Sequence, residues 1–393
     1  MIGQFCTSDV ENYGDLLYPV LLPKILEKHG RTSDLITLGF IEGPAPCKAG
    51  YKVYDINDVL LRENLSLEKL YIGGGDIIRT DRRRLASHYE KRYKDVLNNK
   101  FEQFIRKLMR RDELGRFSSK FMGYESPGPF IVNNNNYKKI SNIIYCSCGV
   151  PFDIDESESE SVRDAFETAR FIYLRDYKSK EKLIKSGVKC EINVAPDLIV
   201  KLSDFFDKED AKRKGQSILK KQNVNTAKKI LCFQSKPNNK KDTELIFNEL
   251  LTYKKKNDAE IILMPIGFCH GDDVYLKTLS DRSDGAFHYI DVHSIFDMIS
   301  VIGSSDFFVG TSMHGNITAF SFCIPHLFGD ISVEKIDGFL EVTGLSSSYK
   351  LNNWSMLNQG ISIVEQINNG NFQNTVNIAK RKVDDIFSLM CSK

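Results

Sequence analysis

The strongest chemical signal in the sequence is the run Phe307-Phe308-Val309-Gly310-Thr311-Ser312-Met313-His314-Gly315-Asn316-Ile317. An apolar strand ends at Gly310, a small polar turn follows, and from Asn316 the spacing predicts a helix. Such a turn aims backbone N–H groups and the positive end of a helix dipole at one point, which favours an anion. Thr311 and Ser312 add hydroxyls, while His314 can donate, accept or carry a proton near neutral pH. The competing reading is a capped helix whose histidine bonds a neighbouring carbonyl.

Five other places carry weaker signals. Arg175 ends the apolar run Phe171-Ile172-Tyr173-Leu174, and a strand-terminal guanidinium suits a carboxylate or phosphate through its planar fork. A surface pair with Asp176 is the alternative. Asn12-Tyr13-Gly14-Asp15 precedes a predicted helix, where Asn12 caps the helix or bonds a ligand at its N-terminus. Gly73-Gly74-Gly75-Asp76 follows Leu70-Tyr71-Ile72 and lets backbone approach a ligand closely, without the spacing of a dinucleotide fingerprint or a P-loop. Lys335 follows the His314 helix and an apolar segment at 322–328, within reach of the same cleft or simply solvated. His270-Gly271-Asp272-Asp273 offers a lid or acceptor contact, with the two aspartates more simply read as helix caps. No H-x-x-x-H or similar ligand spacing occurs, so no metal is expected.

These residues need a scaffold that brings strand ends together. Short apolar segments at 35–40, 52–54, 70–72, 143–148, 171–174 and 190–194 alternate with helical patterns such as 16–29, which closes on His29-Gly30. A polar, helix-prone stretch at 203–229 carries no strand signal and places a domain junction there. A second series of strands follows at 230–234, 260–267, 288–292 and 306–310, with helices at 242–255, 272–279 and 294–302. The expected fold is therefore α/β: an N-terminal Rossmann-like domain over 1–202 and a C-terminal one over 203–393. Ligands in such sheets sit beyond the carboxyl ends of the strands, so the cleft between the halves is the expected site. The last helix is expected to pack back on the N-terminal domain.

Composition sets outer limits. The chain has 393 residues, a formal charge of +2 and 41% hydrophobic residues, which excludes a disordered chain or a disulfide miniprotein. No apolar run is long enough to cross a bilayer, and the start shows neither a basic n-region nor an apolar h-region. Nine scattered cysteines suit a reduced, cytoplasmic protein. Residues 79–116 hold 13 Lys and Arg against 6 Asp and Glu, inside an expected basic helical insertion near 79–136 that ends in the Asn133–Asn136 run. It reads as a solvated face, an oligomer contact, or a peripheral contact with an acidic lipid-linked saccharide at the inner face of a membrane. No nucleic-acid module accompanies it.

In order along the chain, Asn12-Tyr13-Gly14-Asp15, Gly73-Gly74-Gly75-Asp76, Leu174-Arg175-Asp176, Pro196-Asp197, His314-Gly315 and Lys335-Ile336-x-Gly338-Phe339 resemble the motifs of the polysaccharide pyruvyl transferase family. The resemblance implies a GT-B-like pair of domains. It also implies transfer of pyruvate from phosphoenolpyruvate to two hydroxyls of a sugar on a cell-surface or exopolysaccharide glycan, forming a cyclic ketal. No cofactor is implied, since phosphoenolpyruvate is the donor substrate, and the acceptor is a sugar or a lipid-linked oligosaccharide. By this resemblance His314 is the proton carrier or phosphate ligand, with Asp76 or Asp15 accepting the hydroxyl proton. Substrate would be bound by Arg175, Lys335, Thr311, Ser312, Gly315, Asn316, Asn12, Gly74 and Gly75, with the N-terminal domain on the acceptor side and the C-terminal domain on the donor side. One departure stands out: the family commonly has Arg-Leu-His-Gly where this chain has Ser312-Met313-His314-Gly315. Losing a charge-assisted hydrogen bond costs about 1.5–3 kcal/mol unless Arg175, Lys335 or Lys236 replaces it. Two other functions fit the same architecture: a GT-B glycosyltransferase using a nucleotide-sugar, and a diverged glycan-binding protein without catalysis.

Overall fold

The computed structural model describes residues 1–31, 34–61, 66–78, 128–132, 139–329, 334–367 and 371–392. The basic insertion therefore lies outside the described residues, except for 128–132.

Two sheets form. The first contains β1 (Ile2–Phe5), β2 (Ile36–Gly39), β3 (Gly43–Pro44), β4 (Lys52–Asp55), β5 (Leu67–Gly75), β6 (Ile140–Cys148), β7 (Phe171–Leu174) and β8 (Asn193–Val194). Its order is β3-β4-β2-β1-β5-β6-β7-β8, parallel except for the β3–β4 pair. The second contains β9 (Ile230–Gln234), β10 (Glu260–Leu263), β11 (Phe287–Tyr289), β12 (Phe307–Gly310) and β13 (His326–Phe328). Its order is β11-β10-β9-β12-β13, parallel throughout. Near-continuous apolar strands such as Ile230–Gln234 and Phe307–Gly310 are wholly buried, as parallel sheets covered on both faces require.

Each sheet has one point where the chain reverses its direction of winding: between β1 and β5 in the first, and between β9 and β12 in the second. These are the positions where parallel sheets open a crevice beyond their carboxyl ends. Asn12 and Asp15 follow β1, Asp76 follows β5, Gln234 ends β9, and His314 follows β12.

β1 carried no strand signal, because Gly3 and Gln4 interrupt its apolar run, yet it lies near the centre of the first sheet. Gln4 is buried, and its Nε2 donates to Thr37 Oγ1 at 2.9 Å and to Pro19 O at 3.2 Å. That second bond fills a gap in the first helix, Tyr13–Lys28, which contains Pro19 and Pro23. Pro23 has no N–H to offer the carbonyl four residues back, so Gln4 takes that acceptor instead.

The first helix starts at Tyr13 rather than Leu16, and it joins the two halves. Its Tyr13 N–H donates to Ile266 O at 3.0 Å, Asn12 bridges Gly267, and Tyr13 OH shares a 2.8 Å hydrogen bond with Thr318 Oγ1. One apolar cluster runs from Leu16, Leu21 and Ile25 on this helix to Ile317, Phe320 and Phe339 beyond the second sheet. The polar stretch at 203–229 forms the helix Lys208–Lys221, whose Gly215 lies directly against Ser300 O of the helix Ile295–Gly303. The last helix, Phe372–Ser392, returns to the first half. Its Phe387 packs on His29 and Tyr173, and its Asp384 accepts from the buried Lys201 Nζ at 2.7 Å.

Candidate active site

The carboxyl ends of strands from both sheets converge on one group of charges. Arg175, just after β7, is only 1% exposed. It ion-pairs with Asp76, which follows β5, and its Nη1 lies 3.3 Å from Oδ2 of Asp197, which follows β8. That same Asp197 oxygen lies 3.7 Å from Nε2 of His314. Lys335 Nζ, at the start of the helix Glu334–Thr343, reaches to 3.5 Å from the other Asp76 oxygen. Two residues of the first half thus carry the negative charge on which two cations and an imidazole meet.

The carboxylates differ sharply in proton affinity. Burial would raise Asp76, but Arg175 and Lys335 outweigh it and hold the group down at about 2. Burial likewise opposes Asp197, yet His314 and Arg175 keep it below the usual carboxylate range. Asp15 goes the other way: burial pushes it up to about 6, against the pull of His314, hydrogen bonds from Thr7 and Asn12, and Lys335. A carboxyl near 6 and a permanently ionised one beside it are suited to different tasks.

The His314 ring lies on the first helix. A Cβ at Gly14 would overlap its Nδ1, so the Asn12-Tyr13-Gly14-Asp15 segment needs a glycine there for the imidazole to fit. The helix carrying His314 spans Met313–Ser321, three residues earlier than the spacing indicated. Ser312 is its N-cap, accepting from Gly315 N–H at 3.3 Å.

Several expected ligand contacts are used internally. Asn12 occupies the N-cap position of the first helix, but its side chain makes no capping bond; its Nδ2 donates to Asp15 Oδ2 at 2.9 Å. Asn316 is fully buried, with Nδ2 donating to Gly310 O at 2.8 Å and Ser312 O at 2.9 Å, so it braces the turn from within. Gly315 packs against Phe308 and Ile266, and Gly74 against Tyr18. Those glycines admit protein neighbours rather than a ligand backbone. Gly75 alone of the triple glycine faces the charged group, with Asp15 Oδ1 3.2 Å from where its Cβ would be. Thr311 Oγ1 accepts Lys236 N–H at 3.1 Å, which fixes the loop after β9 beside the turn. Arg175 is neither an exposed cleft-mouth cation nor half of a surface pair with Asp176, whose carboxylate caps the helix Tyr177–Lys185 by accepting from Ser179 N–H at 2.6 Å. Complete burial between two carboxylates makes it the centre that fixes them, and leaves Lys335, at 35% exposure, as the accessible cation of this group among the described residues.

Asp197 was missing from the sequence-derived site although Pro196-Asp197 stood among the motifs; its position just after β8 was the available signal. Asp272 does not cap its helix, whose N-cap is Gly271. It is buried, and its Oδ2 accepts from Gly267 N–H at 2.9 Å and Gln234 Nε2 at 2.7 Å. His270 lies exposed in the turn Phe268–His270. Among the described residues no group of three or more His, Cys, Asp or Glu side chains could hold a metal ion, and no helix is long and apolar enough to cross a membrane.

A family model described as "Polysaccharide pyruvyl transferase" matches residues 12–328. No curated protein matches the chain. Solved structures match over nearly the whole length at low identity. A glycosyltransferase from Rickettsia africae is 14% identical with a TM-score of 0.54, covering 99% of this chain and 94% of its own. The UDP-GlcNAc 2-epimerase from Neisseria meningitidis, bound to UDP-GlcNAc, is 10% identical with a TM-score of 0.55, covering 100% and 98%. Anabaena HepE in complex with UDP is 10% identical with a TM-score of 0.53, covering 100% and 98%. At these identities the likeness is one of fold, and that fold is GT-B.

Proposed function

The chain belongs to the polysaccharide pyruvyl transferase family and is a transferase, and from that premise we propose that it moves the pyruvyl group of phosphoenolpyruvate onto two hydroxyls of a sugar in a cell-surface or exopolysaccharide glycan, as a cyclic ketal. The observation that carries this reading is the meeting of Lys335, His314, Asp76 and Asp15 where the two halves join. Phosphoenolpyruvate bears a carboxylate and a phosphate, so its site needs cations and a proton carrier more than an apolar slot.

In this mechanism Lys335 exchanges its long contact with Asp76 for the anionic donor, beside the N-terminus of the Met313–Ser321 helix. Protonated His314 delivers a proton to the methylene carbon, leaving positive character at the adjacent carbon, which the first sugar hydroxyl attacks. Asp15 takes that hydroxyl's proton; its raised affinity suits a base near neutral pH, whereas Asp76 at about 2 is too weak a base. The second hydroxyl displaces phosphate and its proton leaves with phosphate, while the proton taken by Asp15 returns to His314, so one donor and one diol give one ketal and one phosphate. Arg175 binds no substrate in this scheme. It holds Asp76 and Asp197, and Asp197 in turn faces His314 Nε2.

A sugar-bearing glycan or lipid-linked oligosaccharide is the acceptor in this reading, at the cytoplasmic side of the membrane. Thermal unfolding with phosphoenolpyruvate and with a set of nucleotide-sugars tests the donor. Stabilisation by phosphoenolpyruvate, lost in Lys335→Met, supports the proposal; stabilisation by a nucleotide-sugar alone replaces it with a glycosyltransferase function.

A further inference from the structure

One buried side chain links the turn before His314 to the segment that leads to the helix start beneath its ring. Gln234 ends β9 at the reversal point of the second sheet and is 2% exposed. Both ends of its amide are engaged. Its Oε1 accepts Ser312 N–H at 2.8 Å, in the turn before His314, and its Nε2 donates to Asp272 Oδ2 at 2.7 Å. The same Asp272 oxygen accepts Gly267 N–H at 2.9 Å. Gly267 bridges Asn12, and the preceding Ile266 carbonyl receives Tyr13 N–H. The next residue is Gly14, on which the His314 ring rests. The contacts close into a circuit that leaves His314 through Ser312, passes Gln234, Asp272 and Gly267, and returns through Asn12, Tyr13 and Gly14.

We propose that Gln234 and Asp272 are positioning residues for His314, setting where the imidazole sits relative to Asp15 and Asp197 without touching substrate. An apolar residue at 234 would leave Ser312 N–H without this acceptor and take one of two donors from the buried Asp272 Oδ2. The two elements flanking His314, the turn above it and the helix start below, would then lose their common reference. A displacement of about 1 Å at a reacting group costs on the order of 100-fold in rate. Because a single oxygen of Asp272 serves both neighbours, an amide at that position can keep both bonds.

The proposal rests on His314 being the reacting group of the pyruvyl-transfer site, so its test includes readouts independent of the donor. The full chain is labelled at histidine and the His314 imidazole resonance assigned by its absence in His314→Gln. Hydrogen exchange over 311–316 is followed by mass spectrometry, and phosphate release from phosphoenolpyruvate gives kcat and KM. Asp272→Ala and Gln234→Met are expected to move the His314 resonance and to speed exchange over 311–316 by about tenfold or more. They should also lower kcat by roughly 10- to 100-fold with little change in KM for phosphoenolpyruvate, while Asp272→Asn restores all of these. Gln234→Met keeps side-chain length while removing both hydrogen-bonding atoms, so it decides the question if Asp272→Ala does not fold. An unchanged resonance and unchanged exchange in Gln234→Met overturn the proposal, as does an Asp272→Asn variant as impaired as Asp272→Ala. A wild-type protein that releases no phosphate counts against the donor instead, and leaves the resonance and exchange to judge the positioning.

Discussion

Gly14 lies so close beneath His314 that any Cβ there would overlap Nδ1 of the ring. The first helix of one half thus sets the position of the only imidazole among the described residues that faces the charged group built by both halves. Gly14→Ala is expected to displace the ring and reduce phosphate release from phosphoenolpyruvate by on the order of 100-fold. Turnover within a few-fold of wild type, measured on folded protein, would show that the contact does not set the imidazole position.

His314→Ala and His314→Gln separate proton transfer from bulk. Removing a general acid typically costs about 10²- to 10⁴-fold, and a loss toward the upper end is expected here because no other described imidazole faces the group. Circular dichroism should stay near wild type in both, and His314→Gln, which refills most of the largely buried space of the ring, should also keep the unfolding temperature, since Nε2 makes no hydrogen bond among the described residues. A variant with normal turnover would remove His314 from the mechanism.

Asp15 links function to stability. Its carboxyl is raised to about 6 by burial, above its unfolded value, so the folded protein binds more protons than the unfolded chain between about pH 4 and 6. Stability from this group therefore falls as pH rises through that window, and the burdened ionised form prevails above it. Asp15→Asn is expected to unfold at a higher temperature than wild type at pH 7.5, with the gap closing near pH 4, while transfer is lost. Differential scanning across that range checks the sign; a variant less stable than wild type at pH 7.5 would contradict it.

Arg175 and Lys335 should respond in opposite ways. Arg175→Met leaves Asp76 and Asp197 buried without their shared cation, and breaking a buried pair in this way costs about 3–5 kcal/mol. Lys335→Met should change unfolding little, because its Nζ contact is long and its side chain is 35% exposed, but should raise KM for phosphoenolpyruvate by roughly tenfold. Denaturant titration and steady-state kinetics on the two variants distinguish them. Equal stability losses would show that the two cations have the same structural role.

The parts of this arrangement that were legible in the sequence are the locally encoded ones. The strand, small polar turn and helix around His314 follow from a few neighbouring residues, and so do the alternating segments of the two α/β halves. The burial of Arg175 was not legible, because its carboxylate partners lie 22 and 99 residues away and meet it only when β5, β7 and β8 align. Asp197 was hidden for the same reason. Gln4 and Gly3 masked β1, since a buried glutamine bonded to Thr37 and Pro19 looks polar until its partners are known. Glycines at 74 and 315 read equally well as ligand contacts or as room for Tyr18 and Phe308, and the packing decides that question.

The most direct measurement is incubation of the full chain with phosphoenolpyruvate and galactose-, mannose- and glucosamine-type acceptors, following inorganic phosphate and the acceptor mass together. Stoichiometric phosphate release with an acceptor heavier by one ketal-linked pyruvyl group, abolished in His314→Ala, is the predicted result. Sugar transfer from a nucleotide-sugar with no pyruvylated product on any acceptor would contradict it.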